Sequence, residues 1–290
     1  MRVLITGITG YIGSNLAREL IPGCEVYGLV RKPLNRTYLA DIHAQIRLLT
    51  YDGTYEGMTA MLEAARPDLV YHLAAYYTGG RGVEHTPALI ESNITMGAHL
   101  LDAMADCGCG AMVYAATIMS NYRGESYCPL NLYAATKRAF SDLLAYYTDA
   151  GLLRAVTLVL SDTYGPGDRR PKVLNLIRNA AQKGETIVLS DGEQDYDVVH
   201  INDVVRAFRM AGEQLLQRED WKNETFQICA DVPLTLRKTV KLMLKLNGLP
   251  PETAIWGQRP NADREIRKAI RLYPTPPGWK PQVNIEAGLI

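Results

Sequence analysis

Apolar positions along the chain fall into two alternating patterns. Short, mostly apolar runs at Arg2–Thr6, Glu25–Val30, Ile46–Tyr51, Leu69–Ala75, Met112–Thr117 and Ala155–Leu160 read as candidate strands. Between them the spacing changes to that of a helix: Ile12, Leu16 and Leu20 recur every four residues in Tyr11–Leu20, and Leu89–Ala105 and Leu130–Ala150 continue the pattern. Strands alternating with helices predict an α/β fold in which a parallel sheet carries helices on both faces, a doubly wound Rossmann sheet.

After Tyr164 the rhythm changes. Gly165-Pro166-Gly167 breaks the chain, then come a helical stretch (Val173–Gln182), a β-like Thr186–Leu189, the turn Asp191-Gly192 and a helical Asn202–Leu216. Prolines at 233, 250, 251, 260, 274, 276, 277 and 281 argue against long regular elements near the C-terminus. The expected organisation is a dinucleotide-binding domain over 1–165 with 197–218, and a smaller mixed lobe over 166–196 and 219–290.

Composition narrows the functional classes. The 290 residues are 47% apolar and 21% charged with no net charge, which suits a globular core and argues against a general nucleic-acid binder. The apolar run after Met1 ends at Gly7, too soon for a signal peptide, and no stretch approaches a membrane helix. Five cysteines without metal-ligand spacing read as free thiols, with no metal site expected. These features predict a soluble, cytoplasmic protein.

The strongest local signal is Thr6-Gly7-Ile8-Thr9-Gly10-Tyr11-Ile12-Gly13, directly after a strand and opening a helix. Glycines there allow a tight turn and close backbone approach to a pyrophosphate, and the helix N-terminus supplies free N–H groups. The second strand then ends in Leu29-Val30-Arg31-Lys32, without the carboxylate that commonly holds a ribose 2′-hydroxyl. Arg31 and Lys32 suit the 2′-phosphate of NADPH, with NAD as the alternative.

A second constellation lies in the predicted helix after the fifth strand. Tyr133-Ala-Ala-Thr-Lys137 puts a phenol and an ammonium on one helical face, about 6 Å apart along the axis. A neighbouring ammonium favours the phenolate, so the pair is expected to exchange a proton with a carbonyl or alcohol oxygen. Thr117 ends the preceding strand, at the edge where open α/β sheets bind ligands, and its hydroxyl could bond the same oxygen.

Together these residues resemble the extended short-chain dehydrogenase/reductase family, which acts largely on nucleotide-activated sugars. The likeness also rests on Asp52-Gly53, Asp68–Ala75, Asn93-Ile-Thr-Met-Gly97, Ser161–Pro166, Val199–Asp203 and Gly278–Pro281 with Glu286–Gly288. The resemblance implies that Gly7, Thr9, Gly10, Tyr11, Ile12 and Gly13 cradle the cofactor, and that Asp52 and Gly53 lie at its adenine. It further implies that Leu73, Ala74, Ala75, Asn93 and Ala115 line it, with Leu160 and Thr163 at the nicotinamide. Thr78, Thr117, Asp162, Lys172, Gln194 and Arg264 would meet a nucleotide-diphosphate sugar. Ile118-Met119 stand where the 4,6-dehydratases carry Asp-Glu, and Met119 where the fucose-synthase type carries Cys. Asn131–Lys137, Leu160–Pro166 and Gly192–Gln194 resemble the CDP-abequose-synthase-like reductases of 4-keto-6-deoxyhexoses, although Tyr196 replaces an arginine common in the family. The implied activity is an NADPH-dependent 4-ketoreductase. Its rivals are a 4-epimerase that retains NAD, a reductase of a non-nucleotide ketone, and a non-catalytic NADPH sensor. A homodimer through the Tyr133 helix is also implied, with Leu143, Leu144, Tyr146 and Tyr147 as candidates.

Overall fold

The computed structural model describes residues 1–32 and 34–290. The chain runs β1 (Arg2–Thr6), α1 (Tyr11–Leu20), β2 (Glu25–Val30), β3 (Ile46–Thr50), α2 (Tyr55–Ala65), β4 (Leu69–His72), α3 (Thr86–Ile90), α4 (Met96–Asp106), β5 (Ala111–Thr117), α5 (Leu132–Asp149) and β6 (Arg154–Leu160). It continues with β7 (Asp162–Tyr164), α6 (Val173–Lys183), β8 (Ile187–Val188), β9 (Asp195–Tyr196), β10 (Val198–His200) and α7 (Ile201–Gln217). The remainder forms β11 (Asn223–Ile228), β12 (Leu234–Thr235), α8 (Leu236–Leu246), β13 (Ala254–Ile255) and α9 (Ile285–Gly288).

Seven strands in the order β11-β6-β5-β4-β1-β2-β3 make one parallel sheet. Successive side chains of a strand point to opposite faces, so Val3 and Ile5 pack with Leu16 and Phe208 on the α1/α7 side. Leu4 packs with Met58 and Leu100 on the α2/α4 side. Each such fully buried side chain contributes roughly 1.5–3 kcal/mol. The strand order reverses beside β1, between β2 and β4, which opens a crevice at the C-terminal ends of the strands. Over it lies the smaller lobe, where Leu174 and Ile177 of α6 meet Val240, Met243 and Leu244 of α8.

Several expected elements are redrawn. β4 stops at His72 rather than Ala75, because β1 ends at Thr6 and offers only its carbonyl to Leu73 N and its side-chain Oγ1 to Ala74 N. The helix expected over Leu89–Ala105 contains a π-type turn at Glu91–Thr95. The segment after residue 219 is more regular than its prolines suggest: α8 fits between Pro233 and Pro250, and Asn223–Ile228 joins the main sheet through β6. That strand, with Trp221 and Trp279, adds to the sheet's own core, so residues 219–290 do not all belong to the lobe. Among the described residues no helix is long and apolar enough to cross a membrane.

Candidate active site

The glycine turn between β1 and α1 is built for a close neighbour. Gly7 has φ +73°, and a Cβ there would sit 2.7 Å from Ala74 N; at Gly13 it would sit 2.3 Å from Gly7 O. Both positions therefore exclude side chains. Gly10 caps α1 without any side-chain hydrogen bond, and the first turn carries no acid. The N–H groups at the helix start carry positive partial charge and find no hydrogen-bond partner among the described residues, which fits a pyrophosphate.

Around this turn the expected residues are disposed unevenly. Arg31 and Lys32 are exposed at the end of β2. Asp52 is exposed and its Oδ1 accepts from Thr54 N (2.9 Å) and Thr54 Oγ1 (2.7 Å), which hold its carboxyl below the usual range. Gly53, at φ +98°, turns the chain into α2. Asn93 differs from expectation. Its Oδ1 accepts from Tyr76 N (2.7 Å), and its Nδ2 donates to Tyr76 O and Thr136 Oγ1. The amide is spent inside the protein, so Asn93 braces the loop after β4 against α5; the π-type turn places it there. Ala115 lies in the core with Ile8 and Val156, and it is Ala116, one residue on, that lines the cavity described next.

That cavity, of about 520 Å³, opens between the strand ends and the lobe, and brings together Ile12, Thr117, Tyr133, Leu160 and Thr163. Asp162, Lys172 and Gln194 line the same space from the lobe side. Thr117 is 9% exposed, and its Oγ1 accepts from Met119 N at 3.3 Å, leaving the hydroxyl proton free to donate. Ile118 and Met119 line the wall beside it.

The electrostatics of the tyrosine–lysine pair depart from expectation. Burial, with Tyr77 adding to it, pushes the Tyr133 hydroxyl up to about 12, and the cation opposing this is Arg170. Lys137 is not that cation. It is 3% exposed, and burial brings its ammonium down to about 7. Its Nζ rests 4.3 Å from the centre of the Tyr114 ring, while Tyr114 donates its own hydroxyl to Lys137 O at 2.9 Å. The helical spacing is present, but Lys137 turns into the core.

On the lobe side, Asp162 holds Lys172 at 2.6 Å and accepts weakly from the Tyr196 hydroxyl. Gln194 donates from Nε2 to Glu265, which fixes the amide's orientation and leaves Oε1 buried without a partner among the described residues. Two expected residues lie elsewhere. Arg264 is exposed, donates to the carbonyls of Pro129 and Leu130 at 2.8 Å and lies over the Tyr122 ring. Thr78 accepts from Gly80 N in its own turn. The cavity instead receives Tyr77, whose ring meets that of Tyr133 edge-on at 4.9 Å, and Arg170. On α5, Leu144 is 1% exposed and belongs to the chain's own core, whereas Tyr146 is 65% exposed.

Sheet order, glycine turn and cavity define a dinucleotide-binding α/β oxidoreductase. Residues 3–229 match the NAD dependent epimerase/dehydratase family, and the chain belongs to it. It is 28% identical over 241 residues to a CDP-abequose synthase of Yersinia pseudotuberculosis, covering 83% of this chain and 82% of that one. To a UDP-glucose 4-epimerase of Mycolicibacterium smegmatis it is 26% identical over 306 residues, covering 100% and 96%. The fold matches a Thermus thermophilus UDP-glucose 4-epimerase in complex with NAD at a TM-score of 0.83 and 24% identity, covering 100% and 96%.

Proposed function

We propose that this enzyme reduces the C4 ketone of a nucleotide-linked 4-keto-6-deoxyhexose with NADPH. The observation that carries the reading is the apolar wall beside Thr117 and Tyr133, formed by Ile118, Met119, Leu160 and Tyr77. It suits the methyl group of a 6-deoxysugar and lacks the acid and base that water elimination needs at positions 118 and 119. Similarity to a CDP-abequose synthase supports the same substrate class.

The cofactor's pyrophosphate would lie at the start of α1, with Asp52 near its adenosine half and Arg31 and Lys32 on its 2′-phosphate. When bound, NADPH supplies the hydride for C4. Tyr133, protonated at neutral pH, gives its proton to the oxygen as negative charge develops there. Thr117 donates a hydrogen bond to the same oxygen, so both groups aim at the charge of the transition state. Lys137 lies beneath them on α5, with its Nζ against the Tyr114 ring. Ketone, hydride and proton together give the alcohol and NADP⁺. Lys172 and Gln194 would meet the nucleotide-sugar from the lobe, and the exposed face of α5 around Tyr146 would pair two copies of the chain.

The test is to follow reduced-nicotinamide absorbance with NADPH or NADH and a panel of CDP-, dTDP- and GDP-4-keto-6-deoxyhexoses. Oxidation with at least one is expected. Tightly held NAD and interconversion of C4 epimers without net NADPH consumption would assign 4-epimerisation instead; inertness on both counts would overturn the enzyme reading.

A further inference from the structure

Arg170 lies in the segment that leaves the sheet for the lobe, and that segment is strapped to the glycine turn and to the loop after β2. Tyr11 donates its hydroxyl to Pro166 O at 3.1 Å, and Arg169 N donates to the Tyr38 hydroxyl at 2.9 Å. The guanidinium lies 4.7 Å above the Tyr11 ring and also lines the substrate cavity. Two of its nitrogens are committed. Nε and Nη2 each donate to one oxygen of Asp168 at 2.8 Å, and Nη2 donates again to Thr163 O at 2.8 Å. Asp168 is itself only 2% exposed, so the fork is held from below in one orientation. Nη1 makes no hydrogen bond among the described residues, and its two N–H groups are left to whatever enters the cavity.

Lys172, the other cation of this wall, is placed differently, with Asp162 already on its ammonium at 2.6 Å. A planar fork with one edge fixed and the other nitrogen free is the arrangement that recognises phosphate oxygens with little further loss of side-chain freedom. Two anions would come within reach of this joint: the cofactor's pyrophosphate over Tyr11, and the diphosphate of a nucleotide substrate in the cavity.

We propose that Arg170 is a diphosphate-binding residue at the junction of the cofactor turn and the substrate cavity, with Asp168 as the group that positions it. The substrate side of this inference rests on the nucleotide-sugar reading above; the cofactor side does not.

Calorimetric titration of the full chain tests it, using CDP, UDP and dTDP with their monophosphates, NADP⁺, and adenosine 2′,5′-bisphosphate, which has the 2′-phosphate but no pyrophosphate. Arg170→Met is expected to weaken one diphosphate ligand on the order of ten- to hundredfold, as for a lost charge-assisted hydrogen bond. Binding of its pyrophosphate-free counterpart should change less than threefold, and Arg170→Lys should recover part of the loss. Loss confined to the nucleoside diphosphates assigns the substrate; loss confined to NADP⁺ assigns the cofactor. Equal loss for ligands with and without a diphosphate in both variants would reduce Arg170 to a structural strut and overturn the proposal, as would changes under twofold throughout. If the native chain binds no nucleoside diphosphate, the nucleotide-sugar reading fails and the NADP⁺ arm still decides Arg170.

Discussion

Replacing Lys137 by methionine measures what the fold gives up to keep an ammonium in its core. The side chain is 3% exposed, and burial brings it from the ordinary 10.5 down to about 7. At about 1.4 kcal/mol per pH unit, that depression bounds the cost of the buried charge at about 5 kcal/mol. The Tyr114 ring, 4.3 Å from Nζ, returns about 2 kcal/mol. The balance is about 3 kcal/mol, and methionine fills a similar volume without it. The folded-state value lies below the unfolded one, so between pH 7 and 10.5 the unfolded chain binds the extra proton. The cost is therefore complete at pH 7, shrinks over the upper part of that window, where about 3 kcal/mol corresponds to about two pH units, and is gone near its upper end. Two neighbours bound the useful range: His72, buried and held neutral, gains charge only on the acid side, and Tyr133 at about 12 titrates only on the alkaline side. Urea unfolding of both proteins without added nucleotide, from pH 7 to about pH 10, is the assay. Lys137→Met should be the more stable at pH 7 by about 3 kcal/mol, with the gap closing toward pH 10. A less stable variant at pH 7, or a gap that does not change with pH, would refute the reasoning.

Three further outcomes are expected. Tyr133→Phe should lower kcat by about 10² to 10⁴ in the panel assay while leaving nucleotide affinity within a fewfold, since the phenol's proton and not its ring is removed. Arg31→Glu with Lys32→Glu should shift the NADPH-over-NADH preference in kcat/KM toward NADH by at least about tenfold, because carboxylates then face the 2′-phosphate. Asp203→Ala should cost about 3 kcal/mol in thermal or urea unfolding. Its carboxylate is 1% exposed, holds Arg206 at 2.7 Å and accepts from Gln282 N and Val283 N, so its loss leaves those groups unpartnered.

The first six strands could be read from sequence because all but β3, an edge strand interrupted by Arg47, are mostly buried runs of apolar residues, and their boundaries moved by at most a residue or so except where β4 lost its partner at Gly7. β11 was harder. Asn223-Glu-Thr-Phe-Gln-Ile228 mixes polar and apolar residues because it is an edge strand, and only its later residues are buried. α8 left a signal that the nearby prolines hid: Leu236, Val240, Met243 and Leu244 are buried at helical spacing between Pro233 and Pro250. Within the site, the residues at strand ends converged as their positions implied. Exceptions included Asn93, Ala115 and Thr78, which the local backbone turns away from the cavity, and two long side chains whose direction no spacing encodes: Lys137 points to Tyr114 and Arg264 lies back on the loop before α5. Arg170 was hidden for the opposite reason. It follows Gly-Pro-Gly-Asp-Arg in a turn that reads as solvated, and only the Asp168 fork and the Tyr11 ring reveal that it is held inward.

The threading of β11 into the main sheet has a consequence for how this chain can come apart. After leaving for the lobe past β7, the backbone returns to the sheet for α7 and β11, goes back to the lobe for α8, and returns again at Trp279. No single cut therefore separates a stable cofactor-binding fragment from a stable remainder. A protease nick between β11 and β12 should leave the two pieces associated, and exchanging specificity with a relative would require several discontinuous grafts rather than one.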